Sequence, residues 1–345
     1  MSESKVRCAV IGVGRMGRHH ARVYAQHKEV DFAGVVDVNA DAAKSITEEW
    51  GGVAFGDLQE LIDKGVDAVT IATPTVHHKT AAESLLQAKI ACLIEKPLAP
   101  NAAEARTIAD AAEANDVVLQ VGHIVRYDPV MRAIAALDGI TPRFIEMDRV
   151  SPMTFRSVDV GVVLDMMIHD LDLLQMLMGV EPEEVDANAV CVLGEAEDVC
   201  NARLTFPAMA GGDGMRSVAN VTASRLALKT ERKLRIISED AYVSADFVAR
   251  SGRVVRKKAN EEQLVELRAR LKAGEDLSNL NYLELIEIEE LDVQPGDALE
   301  MQIDDFLDAV REDRRPTIDA QAGFAAVRTA ERIVESARAA GARMV

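Results

Sequence analysis

The sequence predicts an α/β protein with two domains: an N-terminal doubly wound parallel sheet, and a C-terminal α+β domain with a large, mostly antiparallel open sheet. Over the first 120 residues, short apolar runs alternate with helical patterns, which is typical of a parallel sheet covered by helices. Beyond about residue 125, strands follow one another without regular helices between them. The length of 345 residues also exceeds the usual size of one hydrophobic core. We therefore predict one domain over residues 1–123 and a second over 124–345.

The N-terminal pattern predicts strands and helices in alternation. The strands are Val6–Ile11, Phe32–Val36, Ala68–Ile71, Ala91–Ile94 and Val117–Val121. The helices are Met16–Lys28, Ala40–Trp50, Leu58–Lys64, His77–Ala88 and Asn101–Ala114. In a doubly wound sheet, ligands bind beyond the carboxyl ends of the strands. The residues that follow each strand are therefore the candidate site residues.

A glycine-rich loop follows the first strand. Gly12, Gly14 and Gly17 form the pattern G-x-G-x-x-G, which allows a tight turn, a close backbone approach to a pyrophosphate and close packing of helix on strand. Asp37 follows the second strand, where a carboxylate can accept hydrogen bonds from a ribose diol and repel a 2′-phosphate. The pattern predicts a Rossmann domain that binds NAD in preference to NADP.

The second half of the chain has a different pattern. Its predicted strands are Arg143–Arg149, Val185–Val192, Ala202–Phe206, Val218–Ser224, Lys233–Ser238 and Tyr242–Ala249. A helix over Val163–Met178 is expected to pack near the first domain. The remaining predictions are a turn at Pro207–Gly214, a helical surface excursion at Asn260–Ile288, and final helices over Ala298–Val310 and Ala320–Ala340.

Composition excludes several classes of function. The net charge of -18 argues against a nucleic-acid surface and against attraction to anionic lipid. The cysteines Cys8, Cys92, Cys191 and Cys200 are scattered, and no Cys/His cluster has the spacing of a zinc site, so we predict no metal. Cys8 and Cys92 lie in strand-like runs and are expected to be buried. Without an apolar signal region or a run of ~18 apolar residues, we expect a cytoplasmic protein that binds no membrane.

Further motifs stand in order along nearly the whole chain. They are Gly12–Gly17 with His19–Ala21, Ala72–Thr75 with His78, Glu95–Pro97, Gly122–Pro129 and Asp165–Asp170. In this order they resemble the Gfo/Idh/MocA oxidoreductases, named for glucose–fructose oxidoreductase and inositol dehydrogenase. The resemblance implies a Rossmann domain, a C-terminal α/β domain and NAD(P)-dependent redox chemistry on sugars or cyclitols. It also implies a cis peptide bond before Pro97.

Two motifs narrow the resemblance. The run Gly122–Tyr127 is closer to the G-H-x-x-R-F form of members that act on UDP-amino sugars than to the asparagine-bearing form of inositol dehydrogenases. Arg149–Arg156 followed by Val162–His169 also resembles the UDP-N-acetylglucosamine 3-dehydrogenase branch. One departure is Asp159–Val163, which stands where family members often carry a glycine run. The resemblance implies hydride transfer between a secondary alcohol of a nucleotide-linked amino sugar and nicotinamide.

Oxidation of an alcohol needs a base for the hydroxyl proton and a group that stabilises the developing alkoxide. His169 suits the base, because the unperturbed pKa of histidine is about 6.5. Asp165 precedes it by four residues and shares its face on a helix, where it can orient the imidazole or bind substrate hydroxyls. Lys96 follows the strand Ala91–Ile94 and can stabilise the alkoxide. In the resembled family, these three positions form the catalytic constellation.

The other predicted site residues follow from the same motifs. The predicted cofactor-binding residues are Gly12, Gly14, Arg15, Met16, Gly17, Asp37, Ala72, Thr73, Pro74, His78, Glu95 and Lys96. The predicted substrate-binding residues are Lys96, His123, Arg126, Arg156, Asp165 and His169. Arg149 is a further candidate for a nucleotide diphosphate, since guanidinium suits phosphate. His19 and His20 are expected to be surface or packing residues, and Asp170 is expected to turn away from the site.

Two other functions stay open at this point. One is a dehydrogenase of a free cyclitol or monosaccharide, and the other is a non-catalytic dinucleotide sensor. The joint presence of Lys96, Asp165 and His169 speaks against the sensor. An open sheet face in the second domain leaves apolar surface to bury, which predicts a homodimer or homotetramer through that sheet.

Overall fold

The computed structural model describes residues 5–154, 160–208 and 214–343. Its first sheet has six parallel strands in the order β3-β2-β1-β4-β5-β6, so the strand order reverses between β1 and β4. The strands are β1 (Val6–Ile11), β2 (Val30–Val36), β3 (Val53–Phe55), β4 (Ala68–Ile71), β5 (Ala91–Glu95) and β6 (Leu119–Gly122). The helices are α1 (Arg15–Gln26), α2 (Ala40–Trp50), α3 (Leu58–Asp63), α4 (His78–Gln87) and α5 (Ala102–Asn115).

These elements confirm the predicted doubly wound sheet. The strands β4 and β5 are buried at every position, because helices cover both faces, and their sequences therefore read as continuous apolar runs. Side chains of Asn39, Asp57 and Asn101 accept hydrogen bonds from the first turns of α2, α3 and α5 and define where these helices begin. The prediction missed β3, whose three residues are too short for a periodic pattern.

The second sheet has eight strands in the order β14-β13-β12-β11-β7-β10-β9-β8, and β7 and β10 are its parallel pair. The strands are β7 (Phe144–Val150), β8 (Glu184–Val190), β9 (Val199–Phe206), β10 (Ser217–Ser224), β11 (Glu231–Ile237), β12 (Ala241–Asp246), β13 (Ser251–Lys257) and β14 (Ile286–Glu290). The mostly antiparallel sheet confirms the prediction. The sequence did not indicate β13 and β14, since they are rich in charged residues and lie at the sheet edge.

Five helices of the described ranges accompany this sheet, and they have different places. The helices α6 (Pro129–Ala135) and α7 (Ile168–Met178) pack on its inner face, where Leu171 and Leu174 of α7 lie in the core. The helix α8 (Glu261–Lys272) buries no residue. The helix α9 (Ala298–Glu312) packs on the first domain, since Phe306 lies in the core that contains Tyr24 of α1. The helix α10 (Ala320–Ala339) contributes to the cores of both sheets and so joins the two domains.

The outer face of the second sheet carries one apolar row. Cross-strand register places six apolar side chains side by side on successive strands. They are Val218, Phe144, Ile237, Tyr242, Val255 and Ile288. Neighbouring rows are polar and include the ion pair between Arg235 and Glu146. The predicted homodimer or homotetramer requires an apolar surface on this sheet that a second copy can bury, and this row is such a surface. The oligomer itself stays a prediction.

Several other expectations concern the chain as a whole. In the described ranges, no helix combines the length and apolar character that crossing a bilayer requires. The same ranges contain no group of three or more His, Cys, Asp or Glu placed to hold a metal ion. Cys8 and Cys92 are buried, as predicted. Residues 209–213 of the predicted turn Pro207–Gly214, and the predicted substrate residue Arg156, lie outside the described residues.

Candidate active site

The glycine loop brings α1 directly against the end of β1. Gly12 has a φ of +82°, and a Cβ on it would lie 2.8 Å from the carbonyl oxygen of Ala72 on the neighbouring strand. A Cβ on Gly17 would collide with the carbonyl oxygen of Gly12. A Cβ on Gly14, by contrast, would point into open space. Two glycines are thus needed for packing, and the third leaves room for a ligand to approach the backbone.

The first turn of α1 offers hydrogen-bond donors. Gly14 is the N-cap residue, and no side chain of the described ranges caps this turn. The N–H groups of Arg15, Met16 and Gly17 therefore lack helical partners, and the positive end of the helix dipole lies with them. Arg15 is exposed and Met16 is half-buried. Such a helix start is suited to bind a phosphate group.

Asp37 lies beside this loop at the end of β2. Its Oδ2 accepts a hydrogen bond from the backbone N–H of Val13 (2.7 Å), and its Oδ1 accepts one from Asn39 (2.8 Å). Next to Gly12, the hydroxyl of Thr73 is buried without a hydrogen-bond partner in the described structure. A glycine cradle, an acid at the end of β2 and an unpaired hydroxyl after β4 together fit a bound dinucleotide.

His78 is the first residue of α4. The sequence predicts that His78 binds the cofactor, which stays a prediction; in the structure its ring is buried between two loops. Its Nε2 lies 3.0 Å from the carbonyl oxygen of Thr73, and its Nδ1 lies 3.1 Å from that of Pro97. Burial lowers the pKa of His78 below its ordinary value. The ring lies between the loop after β4 and the loop after β5, and its single N–H in the neutral form can donate to a carbonyl oxygen of one of them.

Glu95, at the end of β5, is held in place by a buried histidine of α1. Its Oε1 lies 2.8 Å from the Nε2 of fully buried His20, and its Oε2 accepts a hydrogen bond from the N–H of Lys96 (3.3 Å). The Nδ1 of the same histidine faces the hydroxyl of Thr70, which also bonds to Tyr24. His19 is exposed, so the two histidines are a surface and a packing residue, as predicted. Sequence reasoning missed this network, although His20 shares the buried helix face of Gly17 and Tyr24.

Lys96 reaches from the first domain to the second. The peptide bond before Pro97 is cis, as the resemblance implies. The Nζ of Lys96 donates to the carbonyl oxygen of Asp165 (2.6 Å) and to its Oδ1 (3.2 Å). The predicted lysine and aspartate are thus in direct contact.

The helix that carries Asp165 and His169 begins with a π-helical segment, Val163–Met167. The side chain of Glu197 packs against Gly161 and accepts a hydrogen bond from the N–H of Val163 (3.1 Å). Of the two roles that the sequence left open for Asp165, contact with the imidazole of His169 is not seen among the hydrogen bonds of the described residues. The π segment widens the turn between the two residues, Asp165 binds Lys96, and Nδ1 of His169 is buried without a partner in the described ranges.

His123 and His169 lie next to each other. Their ring centroids are 6.5 Å apart and their planes are nearly perpendicular. His123 is fully buried, and both of its nitrogens lack a hydrogen-bond partner in the part of the chain described. Burial lowers the pKa of both rings, and the charge of Lys96 lowers each of them further. The two imidazoles are therefore neutral near pH 7 and lie within the electrostatic range of the same ammonium.

Two arginines near the site are paired with carboxylates. Arg126 donates from Nε (2.7 Å) and from a terminal nitrogen (2.6 Å) to the carboxylate of buried Asp172. Arg149 makes the same kind of pair with Asp170, at 2.9 Å and 2.6 Å. Asp170 is thus engaged by Arg149, and its predicted direction away from the site stays a prediction. The prediction that Arg126 binds substrate gains no support, because this fork already binds a buried carboxylate.

The fold and this arrangement define a class of protein. A dinucleotide-binding sheet carries a lysine and a neutral histidine beyond two of its strand ends, and a second domain brings a carboxylate and another neutral histidine to them. A nicotinamide-dependent dehydrogenase of alcohols needs these groups: a dinucleotide site, a base and a cation at the reacting oxygen.

Comparisons with known proteins identify the family. Residues 6–123 match the model of an oxidoreductase family with an NAD-binding Rossmann fold, and residues 154–342 match its C-terminal α/β domain. The chain therefore belongs to the Gfo/Idh/MocA oxidoreductase family, and it is a dehydrogenase.

Individual relatives span most of the chain. A UDP-N-acetylglucosamine 3-dehydrogenase from Acidithiobacillus ferrooxidans is 34% identical over 92% of this chain and 93% of its own length. A solved structure of that enzyme has a TM-score of 0.84 and covers 98% of this chain and 99% of its own. A myo-inositol 2-dehydrogenase from Thermotoga maritima is 28% identical over 70% of this chain and 76% of its own length. A levoglucosan dehydrogenase in complex with NADH and levoglucosan shares the fold, with a TM-score of 0.79 at 17% identity over 97% of this chain and 98% of its own.

Proposed function

We propose that this chain is an NAD-dependent dehydrogenase that oxidises the 3-hydroxyl of a nucleotide-linked amino sugar, with UDP-N-acetylglucosamine as the first candidate. The observation that carries the proposal is the convergence of Lys96, Asp165 and His169 beyond the strand ends, close to the glycine loop. The similarity to a UDP-N-acetylglucosamine 3-dehydrogenase over nearly the whole chain supports the substrate class.

In this proposal His169 accepts the proton of the sugar hydroxyl. Its lowered pKa keeps the imidazole neutral at physiological pH, which is the form that a base requires. His123 lies beside it as a second neutral ring, and neither Nδ1 of His169 nor either nitrogen of His123 has a hydrogen-bond partner among the described residues. The proton therefore moves from the hydroxyl oxygen to His169 as the carbonyl forms.

Lys96 stabilises the negative charge that develops on the same oxygen. Its ammonium has three N–H donors, and the backbone and side chain of Asp165 orient it. An oriented ammonium in a partly buried site favours the alkoxide over the alcohol. When bound, NAD accepts the hydride that leaves the carbon.

The choice of NAD over NADP rests on Asp37. Its carboxylate lies beside the loop that would hold the pyrophosphate, where it favours a free ribose diol and repels a 2′-phosphate. Titration of the protein with NADH and NADPH is expected to give tighter binding of NADH. Asp37→Ser should narrow the difference, and equal affinities in the parent protein would contradict this preference.

The experiment that tests the function is a substrate screen. NADH formation is measured with UDP-N-acetylglucosamine, inositols and free hexoses, and we expect turnover with the nucleotide sugar. Lys96→Ala and His169→Ala should each lower turnover by about a hundredfold or more while NADH still binds. Lys79→Ala and His19→Ala, which change a half-buried lysine of α4 and an exposed histidine of α1, are matched controls. Preferred turnover of an inositol would favour a cyclitol dehydrogenase, and NAD binding without turnover of any sugar would favour a sensor.

A further inference from the structure

Two arginines face each other on the second sheet. Arg149 of β7 and Arg232 of β11 are directly paired across the two strands. Arg232 has the same side-chain direction as fully buried Leu234, and Arg149 has that of buried Met147. Both arginines therefore lie on the inner face of the sheet, toward α7, where the apolar core ends.

Like charges directly opposite each other destabilise a sheet, so this pair needs compensation. Asp170 supplies it for Arg149 through two hydrogen bonds. Arg232 forms no hydrogen bond or ion pair through its side chain with any described residue, and it is exposed. Asp128 is near enough to act on it, but its Oδ1 accepts a hydrogen bond from Val130 at the start of α6. One positive charge of the pair thus remains available.

This charge lies beside the catalytic residues. Asp170, which holds Arg149, directly follows His169 on the chain. Arg149 and Arg232 are also among the cations that lower the pKa of His169, together with Lys96. Partial burial and the charge of Arg149 lower the pKa of Arg232 in turn. The inner face around His169 is therefore locally positive, although the whole chain carries a net charge of -18.

We propose that Arg232, beside Arg149, binds the phosphate groups of the nucleotide-linked substrate. This assignment rests on the proposed function, because the sugar must carry a nucleotide for phosphates to be present. A guanidinium binds a phosphate through two parallel N–H donors, and Arg232 has its donors free for such a contact. In a nucleotide sugar the diphosphate is attached to C1, two ring atoms away from the C3 that is oxidised. A hydroxyl placed between Lys96 and His169 therefore leaves the phosphates a short distance from His169, on which the charge of Arg232 already acts.

The test measures binding of UDP and of uridine to the NADH-saturated protein by calorimetry. Arg232→Gln should weaken UDP binding by about tenfold or more, since a hydrogen bond to a charged group contributes about 1.5–3 kcal/mol. Uridine binding should change little. Arg232→Lys should retain part of the UDP affinity. Arg235→Gln is the matched control. Arg235 lies on the same strand as Arg232 but on the outer face of the sheet, where it pairs with Glu146.

The outcomes separate this assignment from the proposed function. Loss of UDP affinity in Arg232→Gln, with uridine affinity retained, supports the phosphate contact even if the parent protein does not oxidise UDP-N-acetylglucosamine. Equal effects of Arg232→Gln and Arg235→Gln on UDP would overturn it, even if turnover is observed. Equal weakening of uridine and UDP binding in Arg232→Gln would also overturn it. Thermal unfolding of each variant identifies any that fails to fold, and Arg232→Lys then serves in its place.

Discussion

Lys96 and Asp165 stand 69 positions apart in the chain and meet through two hydrogen bonds, of 2.6 Å and 3.2 Å. Lys96 belongs to the loop after β5 of the first sheet, and Asp165 belongs to the π segment that leads into α7. The contact therefore joins the two domains at the site. It also means that the ammonium is oriented before any substrate binds.

We expect Lys96 and Asp165 to act as a unit in catalysis. Lys96→Ala and Asp165→Ala should each reduce kcat/KM by about a hundredfold, because each removes or misplaces the group that stabilises the alkoxide. The double variant should lose much less than the product of the two effects, as coupled residues do. Kinetics of the four proteins measure this coupling. The half-buried ion pair of Lys79 and Glu83 on α4 is the control, and additive losses at the site would contradict the expectation.

The lowered pKa of His169 predicts the pH dependence of oxidation. We expect kcat/KM to stay level near pH 7 and to fall only below the ordinary pKa of 6.5, because the neutral imidazole is the active form. A profile from about pH 5 to pH 8 tests this. His169→Gln should abolish the acid limb of the residual activity, and an acid limb centred above 6.5 in the parent protein would contradict the assignment.

The same shifts predict how stability depends on pH. His123 and His169 have lower pKa values in the folded protein than in the unfolded chain, so the unfolded chain binds protons more readily. The free energy of unfolding should therefore decrease as the pH falls below 6.5, until the folded-state pKa values are reached. Denaturant titrations at several pH values measure the slope. His123→Phe should reduce it, whereas the exposed His19→Phe should leave it unchanged.

The buried contact between His20 and Glu95 predicts a stability difference between neighbouring histidines. His20→Ala leaves a nearly buried carboxylate without its partner and should lower the free energy of unfolding by about 1.5–3 kcal/mol. His19→Ala, one position earlier on the exposed side of α1, should have little effect. Urea titrations of both variants decide the matter. Similar losses in the two would show that the pair contributes nothing specific.

The glycine loop predicts that substitution of Gly14 affects cofactor binding, whereas substitution of Gly17 affects stability. Gly14→Ala should fold normally, because its Cβ enters open space, but should weaken NADH binding where the phosphates approach. Gly17→Ala should destabilise the fold, because its Cβ meets the carbonyl oxygen of Gly12. Thermal melts and NADH titrations separate the two effects. Unchanged NADH affinity in Gly14→Ala would place the cofactor elsewhere.

The apolar row on the outer face of the second sheet tests the predicted oligomer. Tyr242, exposed by 37%, lies within the row. We expect the parent protein to sediment as a homodimer or homotetramer and Tyr242→Asp to weaken the assembly, because a charge there opposes burial of the row. Tyr282→Asp, which changes an exposed residue outside the row, is the control. A parent protein that sediments as a monomer at micromolar concentration would contradict the prediction.

The sequence was sufficient for the fold class, most strands, the glycine loop, and the positions of Lys96, Asp165 and His169. The reason is that these features are written in local patterns. Apolar runs indicate buried strands, the glycine spacing indicates a tight turn, and the motifs occur in one order along the chain. The sequence did not predict the short or charged strands β3, β13 and β14, because their formation depends on neighbouring strands rather than on their own composition.

The partners of the site residues were settled by tertiary packing, both within the first domain and between the two domains. Asp165 binds Lys96 rather than His169, His78 lies between two loops, and His20 holds Glu95. No local pattern encodes such contacts, because each joins side chains that are distant in the sequence and meet only where strands, loops and the π segment come together. The unpaired charge of Arg232 likewise depends on tertiary structure. The cross-strand register places Arg232 opposite Arg149, and the carboxylate of Asp170 already accepts hydrogen bonds from Arg149.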